Sequence, residues 1–251
     1  MCVFYDVPGR EQLVLHFGDV PEEEWRDKMS PLYRGPFLRA KGSGRALVVG
    51  QWGMIPPHSP THIPTAQDGK RLSTANARRE GMAKAWTYGG PWRKGQRCII
   101  PAQSYVEPYW GTGKHIAWQF SRADGAPWGL AGLWSEWTNP ATGEVLPSYT
   151  MITQNCDDHP LLKRMHRPDP RRPPHLQDKR TVVPLEKGDW DAWLHGSVEQ
   201  AEALIQVPPL ERFVHGPLDP AVSVTLPVSY RVHLTSTPGS SSIPTRRSSS
   251  P

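Results

Sequence analysis

Cysteine is scarce: the 251 residues hold three, Cys2, Cys98 and Cys156. An odd count closes no disulfide framework, and the spacing fits no zinc-binding pattern, so no metal and no cofactor are expected. A reducing cytoplasm is the expected compartment. Long hydrophobic runs are also missing. No stretch approaches the ~20 apolar residues that cross a bilayer, and the opening "MCVFYDVPGREQ" lacks the apolar segment of a secretion signal. No membrane partner is expected. Long helical patterns are few, because 28 prolines and 22 glycines interrupt them.

What is present is a series of short apolar runs bounded by Gly and Pro: "RALVVGQWGMIP", "RCIIPAQSYVEPYW", "KHIAWQFS", "PWGLAGLWSEW", "PSYTMITQN" and "KRTVVPL". These read as strands. Helical patterns are expected from Asn76 in "NARREGMAKAWTY", in "GDWDAWLHG" between Asp189 and Gly196, and in "SVEQAEALIQ" capped by Ser197. Strands and helices that do not alternate point to an α+β single domain with a mostly antiparallel β core. That domain is expected over residues 1–234. Residues 167–179, rich in Pro and Arg, read as an exposed, extended loop, and 235–251, rich in Ser and Pro, as a disordered tail.

The formal charge is +5. The segment from Lys163 to Arg180 holds seven basic residues, among them Arg164, Arg167, Arg171 and Arg172, against Asp169 and Asp178. It therefore carries a net charge equal to the whole excess. A solvated loop and a phosphate-contacting lip both fit. Eleven tryptophans supply core and, for some, stacking surfaces.

Removal of Met1 would leave Cys2 with an α-amine and a thiol on adjacent carbons. Such a 1,2-aminothiol captures aldehydes. The chemistry needs a neutral amine and proton transfer at the aldehyde oxygen. The candidates are Asn76, which is equally a helix cap; Glu107, whose aromatic and apolar neighbours would raise its pKa; and His166, with His159 as the alternative.

In this order, "MC", "WGMIP", "NARRE", "RCIIPAQSYVEPYW", "GLWSEW", "MITQN" and "HPLLKRMHRP" with "KRTVVPL" resemble the SOS-response-associated peptidase family. The resemblance implies a barrel-like, twisted β core with a basic groove. It also implies loss of Met1, by self-cleavage or an aminopeptidase. By the same resemblance Cys2 would then crosslink as a thiazolidine to abasic sites in single-stranded DNA and shield the lesion. By motif, Asn76 would hold the amine or sugar, Glu107 would act as acid and base, and a histidine at the "RMHRP" position would move the ring-oxygen proton. Arg78 would contact phosphate and Trp52 would face the nucleotides. A monomer associated with the nucleoid during DNA damage is expected.

Three departures stand out. Cys2 is followed by Val3 and Phe4 instead of Gly-Arg, Pro108 follows Glu107 where the family often has Trp, with Trp110 two further on, and residues 167–179 form an insertion after His166. Two other classes of function remain compatible with the sequence: a non-catalytic single-strand-binding module, and an amidohydrolase using the N-terminal Cys2.

Overall fold

The computed structural model describes residues 3–226; Met1, Cys2 and the 235–251 segment lie outside the described residues. The strands are β1 (Phe4–Asp6), β2 (Lys28–Met29), β3 (Arg34–Lys41), β4 (Gly44–Trp52), β5 (Asn76–Arg78), β6 (Arg97–Ala102) and β7 (Ser104–Tyr109). They continue with β8 (Ile116–Arg122), β9 (Trp128–Thr138), β10 (Val145–Asn155), β11 (Arg180–Val182), β12 (Pro184–Leu185) and β13 (Phe213–Pro217). The helices are short: α1 (Arg10–Phe17), α2 (Arg79–Met82), α3 (Gly89–Arg93), α4 (Trp190–His195) and α5 (Val198–Ala203).

In the larger sheet, β10 pairs with β4, β4 with β3, β3 with β6, β6 with β9, and β9 again with β10. The pairing returns to its start, so five strands close into a ring, in which β4 reaches β10 only at Ser148 and Tyr149 and leaves the edge of β10 beyond them open. The single α+β domain with a barrel-like core expected from the sequence is what forms. All pairings in the ring are antiparallel except β4 with β10. Closure demands tight backbone approach at Gly132. A Cβ there would stand 2.6 Å from the Thr150 carbonyl and 2.9 Å from Cys98 Sγ. Gly53, which follows β4, has φ +126°, a conformation L side chains rarely adopt.

The second sheet has the order β13-β8-β7-β1-β2. It meets the barrel through Tyr5, whose hydroxyl lies 2.6 Å from that of Tyr149, both buried. Tryptophans fill the shared core, with Trp52, Trp118, Trp128 and Trp193 almost wholly buried.

The 76–88 helix does not form as expected. Asn76–Arg78 instead runs parallel to β10, with Asn76 opposite Met151 and Arg78 opposite Thr153. The unfilled edge of β10 and the burial of Ala75 and Ala77 outweigh a weak local helix preference. The chain turns helical only at Arg79. The other two helices appear where expected. Asp189 and Gly196 flank α4, and Ser197 caps α5 in a reciprocal pair with Gln200.

Candidate active site and nucleic-acid interface

Glu107 sits on β7 and is 2% exposed. Its neighbours are Val106, which pairs with Phe4, and Pro108, which pairs with Ala117. Burial pushes its carboxyl up to about 7. The chain therefore enters β1 beside the residue that precedes Glu107. Cys2, joined to Val3, is outside the described residues.

The segment from Arg164 to His166 lies along the end of β7. The Trp110 N–H donates to the Arg164 carbonyl at 2.9 Å, Met165 bridges Tyr109, and the His166 N–H donates to the Pro108 carbonyl at 2.6 Å. This backbone pairing delivers His166 to Glu107, with Nε2 3.2 Å from Oε2. Nε2 also lies 3.2 Å from the Arg180 carbonyl. A carbonyl only accepts, so Nε2 carries the hydrogen of the neutral ring. Burial holds the imidazole down to about 3, so it stays neutral at physiological pH. The pair therefore offers a carboxyl that titrates near neutrality against an uncharged imidazole.

His166 adopts φ +59°, left-handed backbone for a non-glycine residue. Lys179, 4% exposed, donates from Nζ to the His166 carbonyl at 2.6 Å. Lys179 ends the insertion and His166 precedes it, so the two close the loop at its base. Between them the loop is exposed but not simply extended. Gln177 Nε2 donates to the carbonyls of Asp169, Arg172 and Pro173, and Arg171 pairs with Asp169 at 3.0 Å.

A cleft of about 530 Å³ opens beside His166. Trp110, Arg164, Arg172 and Lys179 line it. The Arg167 guanidinium stands 5.7 Å from the Trp110 ring centre. An aromatic face with cations around it suits a nucleobase and its phosphate.

The remaining expected residues fall in two groups. Asn76 is 9% exposed on β5, and exposed Arg78 follows on the same strand, bound to Asp178 at 2.7 Å. β5 and β11 both pair with Thr153 of β10, so Asn76, Arg78 and the Arg180 carbonyl that meets His166 hang on one strand. Trp52 and His159 stand elsewhere. Trp52 has no exposed surface, donates from Nε1 to the Ala75 carbonyl, and meets Tyr5 edge-on at 5.0 Å. That corrects its expected place facing the nucleotides: a ring with no accessible surface offers no face for a base to stack on. His159 accepts from the N–H groups of Leu161 and Leu162 through Nδ1 and faces Phe213, which makes it a turn cap.

Three contributors escaped the sequence reading. Lys179 and Arg180 read only as part of a basic run, and Asp178 only as a counter-charge. The signal was the "DKR" placed directly before the "TVV" strand. Cys98 and Cys156 are buried and unpaired with each other, as core residues, and burial pushes the Cys156 thiol up to about 12.

A model of the SOS response associated peptidases (SRAP) matches residues 2–225. The abasic site processing protein HMCES of Gallus gallus is 26% identical over 191 residues, which covers 62% of this chain and 53% of that protein. The chain thus spans about half the length of this curated relative. A crystal structure of a protein from Bordetella bronchiseptica is 36% identical with a TM-score of 0.75, and covers 87% of this chain and 100% of that one. A protein from Bacteroides thetaiotaomicron, 17% identical with a TM-score of 0.70 over 87% of this chain and 93% of its own, shares the fold. The barrel, the motif order and these matches agree, and the chain belongs to the SOS response associated peptidase family.

Proposed function

We propose that this protein processes abasic sites in single-stranded DNA by capturing them covalently on Cys2 once Met1 has been removed. The observation that carries the reading is the Glu107–His166 pair, 3.2 Å apart with the carboxyl buried, beside the strand through which the N-terminal segment enters the fold. The family membership and the name of the Gallus gallus relative support it.

The chemistry follows from these groups. The lesion sugar opens as its O1′ hydroxyl loses a proton and its ring oxygen gains one, giving a C1′ aldehyde. Glu107, which titrates near pH 7, supplies and recovers such protons. The neutral α-amine of Cys2 adds to C1′, and the carbinolamine hydroxyl leaves as water with a proton from Glu107. The thiol then adds across the C=N bond: sulfur bonds to C1′ and its proton ends on nitrogen. One water is lost in total. His166, through Nε2–H, orients the Glu107 carboxyl, and Asn76 positions the amine or sugar. Arg78, Arg164, Arg167, Arg171 and Arg172 supply phosphate contacts, and Trp110 stacks on a flanking base. An abasic site offers no base edge, so recognition by charge and stacking suits it. Removal of Met1 by the same Cys2 and Glu107 is part of the proposal.

The test incubates the Met1-free protein with a single-stranded oligonucleotide bearing one abasic site. A covalent band that survives denaturation and vanishes in Cys2→Ala is the expected result. Reversible binding without any such band would select a non-catalytic strand-binding module, and turnover of glutamine-like amides without DNA binding would select an amidohydrolase.

A further inference from the structure

Resting on the strand-binding reading above, in which Arg78 and Arg172 contact phosphate, we infer that Asp178 holds the place of one backbone phosphate between Arg78, Arg172 and Arg180 in the unbound protein. One carboxylate there meets three guanidinium groups. Arg78 Nη1 is 2.7 Å from Oδ2, Arg172 Nη1 is 3.7 Å from the same oxygen, and Arg180 Nη1 is 3.2 Å from Oδ1. Guanidinium forks hold carboxylate and phosphate oxygens in the same way, so a group satisfied by one accepts the other.

The three arginines differ in freedom. Arg180 is 3% exposed, grips Glu80 with both Nη atoms at 2.6 and 2.8 Å, and donates to the Thr153 carbonyl. It forms the fixed floor. Arg78 and Arg172 are half exposed and form movable walls. The other acidic groups at the cluster are Glu80, engaged by Arg180, and Asp169, 3.8 Å from Arg172 Nε.

Asp178 is held in a way that lets its carboxylate leave. Its backbone N–H is fixed by Asp157 Oδ2 at 2.9 Å, and its φ of +58° is one that Asp tolerates. Rotation about the side-chain bonds moves the carboxylate while the backbone stays. The pairs with half-exposed Arg78 and Arg172 are partly solvated and individually weak, while buried Arg180 keeps Glu80 as a partner when the carboxylate leaves. An incoming phosphate would restore each contact with equal or greater charge. Asp178 thereby keeps three like charges together in the unbound state and competes with weakly bound anions.

The test compares the whole protein with Asp178→Asn by fluorescence anisotropy on an undamaged single-stranded oligonucleotide across a salt series, so that the covalent step is not involved. The variant should bind about threefold to tenfold more tightly. The slope of log affinity against log salt should steepen by about 0.7, the counterion share of one phosphate on a single strand. Unchanged or weaker binding by a variant that melts like the parent overturns the inference and leaves the crosslinking reading standing. If neither protein binds DNA, both readings fall. Hydrogen exchange of the parent gives a check free of the substitution: amides of 171–178 should exchange faster with the oligonucleotide bound, and unchanged exchange would overturn the inference.

Discussion

Glu107 and His166, from a strand and from a distant segment paired to its end, hold Oε2 and Nε2 3.2 Å apart in a buried setting. The carboxyl responds to that setting with a pKa raised from 4.5 to about 7. A raised carboxyl favours folding below its unfolded value, and this contribution is lost as pH rises through 7. The difference corresponds to about 3 kcal/mol at full extent. Glu107→Gln mimics the protonated form. It should therefore match the parent near pH 4 and be the more stable protein near pH 8, by up to about 3 kcal/mol in denaturant unfolding. The crosslinking rate should also change. Under the proposed mechanism the parent would need a protonated Glu107 and a neutral α-amine, whose reference pKa is about 8, so its rate should pass through a maximum between about 7 and 8. Single-turnover rates across pH should show a strong loss for Glu107→Gln, with the alkaline limb due to the carboxyl gone.

Lys179→Met tests the clamp at the base of the insertion. The apolar stem fits the same buried space, but the His166 carbonyl loses its donor, at a cost of about 1–3 kcal/mol. With that hold gone, His166 should leave its left-handed conformation for part of the time. The expected outcome is a crosslinking rate lowered roughly tenfold with DNA affinity within about twofold, because the ring that meets Glu107 moves while the arginines stay. A gel time course beside an anisotropy titration measures both. Equal loss of rate and affinity would assign Lys179 to strand binding instead.

Trp52 and Trp110 should separate cleanly. Trp52→Ala removes a wholly buried ring and is expected to destabilise the fold by about 3–5 kcal/mol. Trp110→Ala should leave the melting temperature nearly unchanged and weaken DNA binding by about 1–3 kcal/mol. Thermal unfolding and anisotropy on both variants decide. A folded Trp52→Ala with weakened DNA binding would return that residue to the interface.

Where sequence sufficed, the cause was local. "KHIAWQFS" became β8 and "PSYTMITQN" became most of β10 because alternation and flanking turns carry the strand signal. "RGPFLRAK" contains Pro36 and three charged residues and reads poorly as a strand, yet it is β3, because the barrel needs a strand between β4 and β6. Asn76 looked equally like a cap because both roles favour Asn; only the open edge of β10 decided it. Glu107 and His166 could be nominated by residue type, but their meeting depends on the pairing of Trp110 with Arg164 across the chain. Trp52 shows the reverse case. Its motif was legible, and its burial by Tyr5 was not.

The hold of Lys179 on His166 closes the 167–178 excursion at its root, like a drawstring. Residues in that excursion can be exchanged or added without passing strain to the carboxyl and imidazole below it. On the proposed function, the preference for what lies next to the lesion would then change separately from the reaction itself. This makes the excursion the place to graft new sequence when a different strand context is wanted from the same chemistry.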